Sequence, residues 1–112
     1  MEINSLEPLA DGLLADARAA VGNAGRSART LYGGHGSALA QTLIALLAGS
    51  TLADHENHGQ ATVLVVRGRV RLTVGDSFSE GAPYDLLAVP AAVHGLTAVE
   101  DSVVLLTVAR QL

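Results

Sequence analysis

The chain has 112 residues, a length typical of one domain. Hydrophobic residues make up 49% of it, enough to bury a sizeable core. That core is expected to be aliphatic, because aromatic residues make up only 3%. Its formal net charge of -4 argues against nucleic-acid binding, and the absence of cysteine excludes disulfides, thiolate metal sites and cysteine nucleophiles. The N-terminal residues do not resemble a secretory signal and no apolar run approaches the roughly 20 residues of a membrane span, so we expect a cytoplasmic protein that does not bind membranes.

A predicted helix opens the chain. It runs from about Leu6 to about Ala20, with Pro8 in the first turn, where a missing amide proton costs little. Leucine and alanine side chains recur on one face at helical spacing. Gly22 and Gly25 end the pattern. We expect this helix to pack on the remainder of the fold or on a partner subunit.

The remainder of the chain has the pattern of short strands separated by turn residues, which is typical of an all-β sandwich or closed barrel. We therefore predict a single domain in which residues 1–27 form a helical segment and residues 28–112 form a β-barrel. The predicted strands cover residues 29–32, 37–47, 51–56, 63–66, 70–74, a short segment from 78, 85–90, 95–99 and 102–109.

Two of these strands, 63–66 and 70–74, are predicted to pair as a hairpin around Arg67-Gly68. In the second strand, apolar residues alternate with polar ones, so the apolar side chains are expected to face the core. The hairpin carries three arginines, Arg67, Arg69 and Arg71. We expect them to form an exposed face of the hairpin. The alternative is that together they bind an anion or pair with the carboxylates of a partner.

The histidines point to a site. His55, Asn57 and His58 lie close together just ahead of an apolar strand, and no other stretch has as much histidine. Neutral imidazoles bind transition metals, but they also serve as polar groups in metal-free pockets. Neighbouring residues on a strand point to opposite faces, so adjacent residues here do not form a catalytic triad.

The spacing around these residues resembles the first motif of the cupins, a family of jelly-roll barrels. That motif runs from glycine through a His-x-His pair and a glutamate to a second glycine. Gly49 and Gly68 stand at the two glycine positions, and His55 at the first histidine. Asn57 stands at the second histidine position and Ala61 at the glutamate position.

The second cupin motif is matched in part. Pro90 stands at its proline, while Tyr84 and Ala92 replace its two glycines and His94 comes one residue early. The resemblance covers the chain from about Leu39 onward, and together with the helix it is similar to small, mostly uncharacterised bacterial cupins. It implies a cupin-type β-barrel, or jelly roll, with one N-terminal α-helix.

The resemblance also implies where a metal would bind. A typical cupin site has three histidines and one glutamate, and this chain keeps His55 and His94. A divalent metal (Zn, Fe, Ni, Mn or Cu) would need a third ligand, because two imidazoles rarely suffice. The candidates for it are His58, Gln60 and His35.

Two functions remain open at this point. The first is a small-molecule-binding barrel with a degenerate metal site; the second is a metal-dependent cupin enzyme of the dioxygenase or isomerase type. Either Gln41 or Thr42 is expected to face the barrel interior, because neighbours alternate on a strand. The candidate ligand-binding residues are His55, Asn57, His94, Gln41 and Tyr84. Because small cupins often pair through apolar sheet faces and the last strand is apolar on both sides, we expect a homodimer.

Overall fold

The protein, described here from a computed structural model, folds as one helix and nine strands over residues 1–19, 25–55 and 59–110, with the backbone alone given for residues 54 and 55. The elements are α1 (Leu6–Ala19), β1 (Arg26–Gly33), β2 (Leu39–Leu46), β3 (Thr51–His55), β4 (Gln60–Arg67), β5 (Val70–Val74), β6 (Ser77–Gly81), β7 (Leu86–Val89), β8 (His94–Ala98) and β9 (Ser102–Ala109). The predicted class, all-β with one N-terminal helix, is confirmed.

The strands form two antiparallel sheets. One has five strands in the order β1-β2-β9-β4-β7, and the other has four in the order β3-β8-β5-β6. Strands that are neighbours in the chain mostly lie in different sheets, so the chain repeatedly crosses from one sheet to the other. This is the jelly-roll arrangement that the motif spacing implied.

The predicted hairpin between β4 and β5 is wrong. In the structure β4 pairs with β9 and β7, whereas β5 pairs with β8 and β6 in the other sheet. Gly68, at φ +82°, carries the chain across the corner. A short glycine link between two alternating strands is typical of hairpins, but here both sides of each strand are occupied by strands from elsewhere in the chain.

The space between the sheets holds the first hydrophobic core. Val70 and Leu72 are buried in it, as the alternation of β5 predicted. Val65 and Val104 meet them from the five-stranded sheet, and both are fully buried. The inward side chains of the two sheets therefore pack together as in a sandwich.

A second core lies between α1 and the outer face of the five-stranded sheet. Leu13 and Ala17 of the helix pack with Leu43 of β2 and Val103 of β9, all of them buried. This contact explains why β9 is apolar on both sides: one side faces the barrel interior and the first half of the other side lies under α1. Among the described residues, no helix is long and apolar enough to cross a membrane.

The three arginines near Gly68 do not form one face. A β-bulge between Val65 and Arg67 leaves Arg67 on the helix side of β4, where it binds Asp11 at 2.6 Å and Glu7 at 2.8 Å. These bonds, Asp11 first, raise the pKa of Arg67. Arg69 and Arg71 instead bind Glu80 on the outer face of the four-stranded sheet, each at 2.7 Å.

Candidate functional site

A small cavity lies between the two sheets, at the end of the first core. Its volume is about 60 Å³, and its described walls are hydrocarbon apart from one imidazole. The five-stranded sheet supplies Ile44, Ala61, Val63, Val89, Val104, Leu106 and Val108, and the four-stranded sheet supplies Leu52, Leu72, His94 and Leu96.

His94 is the polar side chain in this described lining. It is the first residue of β8, and only 6% of it is exposed. Its Nδ1 lies 2.9 Å from the carbonyl oxygen of Ala92. Because a carbonyl oxygen only accepts, Nδ1 must carry a proton and donate it in this bond. In the neutral ring, Nε2 is then the nitrogen with the lone pair, able to accept a hydrogen bond or to ligate a metal.

The two strands that carry the predicted histidine pair are neighbours. In the β3–β8 ladder the Cα partner of His94 is His55, whereas Leu52 is paired with Leu96. Three residues of β3 therefore span the same length of ladder as two residues of β8, which is the signature of a β-bulge. Simple alternation from Leu52, as assumed from the sequence, does not hold across this irregularity. The side chain of His55 lies outside the described part of the structure.

Ala61 forms part of the cavity wall. It stands where the cupin motif has a glutamate, and its methyl group borders the cavity instead of a carboxylate. Its cross-strand partner Val89 also lines the cavity. Both residues border a shallow groove of about 550 Å³ as well, which lies at the same end of the five-stranded sheet.

The described lining does not fit a metal ion. A protein site commonly uses three or more ligands, whereas His94 is the ligating side chain that the described lining supplies. Within the ranges given above, no group of three or more His, Asp or Glu side chains is placed to hold a metal. Asn57 and His58, predicted as ligand or metal residues, lie outside the described residues.

Other predicted residues lie away from the cavity. Gln41 is on the helix side of β2, because its neighbours in alternation, Leu43 and Ala45, pack against α1. Its amide donates to the hydroxyl of Thr107 at 3.2 Å on the same outer face. Of Gln41 and Thr42, Thr42 is therefore the residue that faces inward, on the same side of β2 as Ile44 of the first core.

The remaining candidates are on the surface. Tyr84 is 77% exposed in the turn between β6 and β7, where its backbone N–H donates to Val65. His35 is exposed in the β1–β2 turn. Gln60 is exposed at the start of β4 and borders the outer groove. None of these three is among the described residues that line the inner cavity.

Most of the hydrocarbon wall consists of residues that were not predicted as site residues. Leu52 and Leu96, cross-strand partners in the smaller sheet, line the cavity with Leu106 from the larger one. Their inward positions follow the alternation of their strands, so the signal was present. Alternation predicts which residues face inward, but it does not predict where the facing side chains fail to fill the space.

The described charged side chains lie outside the cavity. Glu80 is bound by two arginines on the outer face of its sheet, and these hydrogen bonds, from Arg71 first and then Arg69, lower the pKa of its carboxyl group. The cavity lining described above contains no charged residue besides the titratable His94. The described lining of the inner site is therefore apolar, with the imidazole of His94 as its polar group.

Comparison with known proteins supports this architecture. No protein-family model matches the sequence, and no curated protein matches it significantly. Among solved structures, a conserved protein of unknown function from Streptococcus pyogenes is 26% identical, with a TM-score of 0.71 over 80% of this chain and 78% of that one.

Two further solved structures are described as cupins. A cupin superfamily protein from Desulfitobacterium hafniense is 20% identical, with a TM-score of 0.70 over 77% of this chain and 78% of that one. An RmlC-like cupin from Desulfovibrio desulfuricans is 23% identical, with a TM-score of 0.66 over 75% of this chain and 81% of that one. These likenesses, together with the two-sheet jelly roll, show that the chain has the fold of small cupins.

Proposed function

We propose that this protein is a small-molecule-binding cupin whose ligand enters the barrel beside His94. The observation that carries the proposal is an imidazole, 94% of it shielded from solvent, at the wall of an apolar cavity. Ligand pockets in proteins are typically apolar with a few placed polar groups, and the mouth of a β-barrel is a common location.

Ala61 supports binding rather than metal chemistry. A glutamate there would provide an anionic ligand, but alanine provides a methyl group and leaves space. Among the described residues, no group of three or more His, Asp or Glu side chains is placed to hold a metal. Binding of a small molecule needs only a cavity of suitable shape and a polar group, and the described lining supplies both.

The test is a nuclear magnetic resonance titration with a library of small neutral fragments. We expect saturable shifts in the methyl resonances of Val63 and Leu96, which line the cavity. Ala61→Leu fills the cavity and is expected to abolish these shifts. Ala88→Leu adds the same side chain at an exposed position of β7 and serves as the matched control. Loss of binding in both variants, or in neither, would count against the cavity as the site.

A metal-dependent enzyme is the second candidate. Its support is the bond from His94 Nδ1 to a backbone carbonyl, since metal-ligating histidines almost always anchor their other ring nitrogen in this way. The Cα pairing of His55 with His94 adds to it. About one equivalent of Zn, Fe, Ni, Mn or Cu in untagged protein, lost in a His55→Ala, His94→Ala variant, would favour this candidate. Protein that neither contains nor takes up metal would exclude it.

A further inference from the structure

The five-stranded sheet has an open edge at β7. This strand is the last in the sheet, and its partner among the described strands is β4. The N–H of Val65 donates to the carbonyl oxygen of Asp85 at 3.0 Å, just before β7 begins. In an antiparallel pair, residues alternately direct their N–H and C=O groups toward the partner strand and away from it. Because Asp85 bonds to β4, Leu86 and Ala88 direct their backbone groups away, and no described group pairs with them.

The other three edge strands differ from β7. Strand β1 carries Arg26 and Arg29 and contains a bulge, β3 has an irregular register, and β6 carries Glu80. Charges and bulges are devices that keep an edge strand from pairing with another chain. Strand β7 reads Leu-Leu-Ala-Val and has a regular register with β4. It therefore has neither of these two protections.

A groove of about 230 Å³ lies beside β7, between Ala88 and the edge strand β6 of the other sheet. Leu72 and Val74 of β5 line it, as does the half-exposed ring of Phe78 from β6. A closed cavity of about 150 Å³ already accepts benzene. The groove therefore has room for an aliphatic side chain that contacts Leu72 and Val74.

We propose that β7 binds an extended peptide segment of another protein, which adds an antiparallel sixth strand to the sheet. Residues of the segment opposite Leu86 and Ala88 exchange backbone hydrogen bonds with them. The residue between these two lies opposite Leu87 and directs its side chain into the groove. That side chain is apolar, because it meets hydrocarbon there. In recognition of this kind, main-chain bonds supply affinity and the pockets for alternate side chains supply specificity.

The length of the edge favours a short segment over a second copy of this chain. Strand β7 has four residues, which span about 13 Å at about 3.3 Å per residue. A stable dimer commonly buries about 800 Å² on each partner, and pairing of two such short strands falls below that area. A peptide segment contacts the groove as well as the edge, and a transient complex needs less area.

The probe is a synthetic peptide, Thr-Val-Thr-Val-Thr, with an acetylated N-terminus and an amidated C-terminus. We expect it to shift the amide resonances of Leu86 and Ala88 saturably in ¹⁵N-labelled protein. At saturation, hydrogen exchange at these two amides should slow at least tenfold. The amide of Leu87 serves as the internal control, because in this alternation it already bonds to β4.

Two methylated peptides test the direction of the hydrogen bonds. In the proposed pairing the threonine nitrogens face β7 and the valine nitrogens face away. Methylation of the threonine nitrogens should therefore weaken binding at least tenfold, whereas methylation of the valine nitrogens should leave it within twofold. Equal losses from both peptides, or no binding of the parent peptide, would overturn the inference.

A protein variant tests the same edge from the other side. Ala88→Pro removes an N–H that points away from β4, so it should weaken binding at least tenfold, and Ala88→Ser is the matched control that keeps this N–H. If the proline variant does not fold, the methylated peptides on the wild-type protein still decide. Slow exchange at Leu86 and Ala88 without peptide, deepening with protein concentration, would identify a second copy as the occupant and would also refute the proposal.

Discussion

Gly49 and Gly68, the two glycines that bracket the first cupin motif, are required for different reasons. Both have positive φ, +86° and +82°, a region that other residues enter at a cost. At Gly49 a Cβ would meet nothing within 4 Å. At Gly68 it would meet the carbonyl oxygen of Asp101 and the hydroxyl and Cα of Ser102, so space as well as conformation excludes a side chain.

This difference predicts unequal losses on substitution by alanine. Gly49→Ala is expected to lower the free energy of unfolding by about 1 kcal/mol, the conformational cost alone. Gly68→Ala is expected to lower it by at least about 3 kcal/mol, because the start of β9 must also shift. Urea denaturation of the two variants measures both values. Equal losses would show that the close approach at Gly68 is relieved at little cost.

Tyr84 is a strained residue at a position where glycine is favoured. It has φ +71° and follows Pro83 in a turn closed by the bond from the Asp85 N–H to the Ala82 carbonyl oxygen, 2.9 Å. A turn with proline second and a positive φ third normally has glycine or asparagine in third place. Because the side chain is 77% exposed, its burial offsets little of this strain.

We therefore expect Tyr84→Gly to stabilise the fold by up to about 1 kcal/mol, since relief of strain exceeds the added entropy of the unfolded chain. Tyr84→Ala removes the same ring but keeps the strained backbone, so it is the control and should bring no gain. Thermal and urea unfolding give both values. A glycine variant no more stable than the alanine variant would contradict this account of the turn.

At the scale of elements, local alternation was predictable and pairing was not. The inward residues of β5 followed from its sequence, because the period of two is local. The partner of β5 did not, because β8 and β6 compete with β4 for its edges and β8 lies far along the chain. The orientation of Gln41 likewise depends on α1 covering one side of β2, which its own strand does not reveal.

Asp101, in the turn before β9, links that turn to α1 and to the turn after β2. It accepts a hydrogen bond from the Ala48 N–H at 2.9 Å and one from Arg18 of α1 at 3.0 Å. These bonds, Ala48 first, lower the pKa of the Asp101 carboxyl group. Protonation of that carboxyl group would weaken its hydrogen bonds to Ala48 and Arg18 and so the contact between these parts of the fold.

A pH dependence follows from the lowered pKa. Because the pKa is lower in the folded chain than in the unfolded chain, the stabilisation is complete above the unfolded value of about 4 and is lost as pH falls through the folded value. We expect the free energy of unfolding to decline from about pH 5 downward. Asp101→Asn removes this titration, so its decline should be shallower. Wild-type and variant curves with the same slope, measured by urea denaturation at each pH, would contradict the role of Asp101.

At the scale of the molecule, α1 covers only part of the outer face of the five-stranded sheet. It packs on the β9 end that contains Val103, whereas the end with Thr107 and Ala109 borders the open groove. Leu39, next to Ala109 in the sheet, is 39% exposed, and Tyr32 on the edge strand is 61% exposed. The helix thus accounts for most of the apolar outer side of β9. The uncovered end of this face, near Leu39 and Ala109, is the surface available for contact with a partner.

The predicted homodimer is therefore expected to use this uncovered end. Light scattering at micromolar concentration should give twice the mass of one chain. Leu39→Asp places a charge in the contact and should give monomers, whereas Val99→Asp, an exposed change in the β8–β9 turn, should leave the dimer intact. A monomeric wild-type protein would remove the prediction. A dimer that survives Leu39→Asp would place the contact elsewhere, because burying an unpaired carboxylate in an apolar interface costs more than such a contact gains.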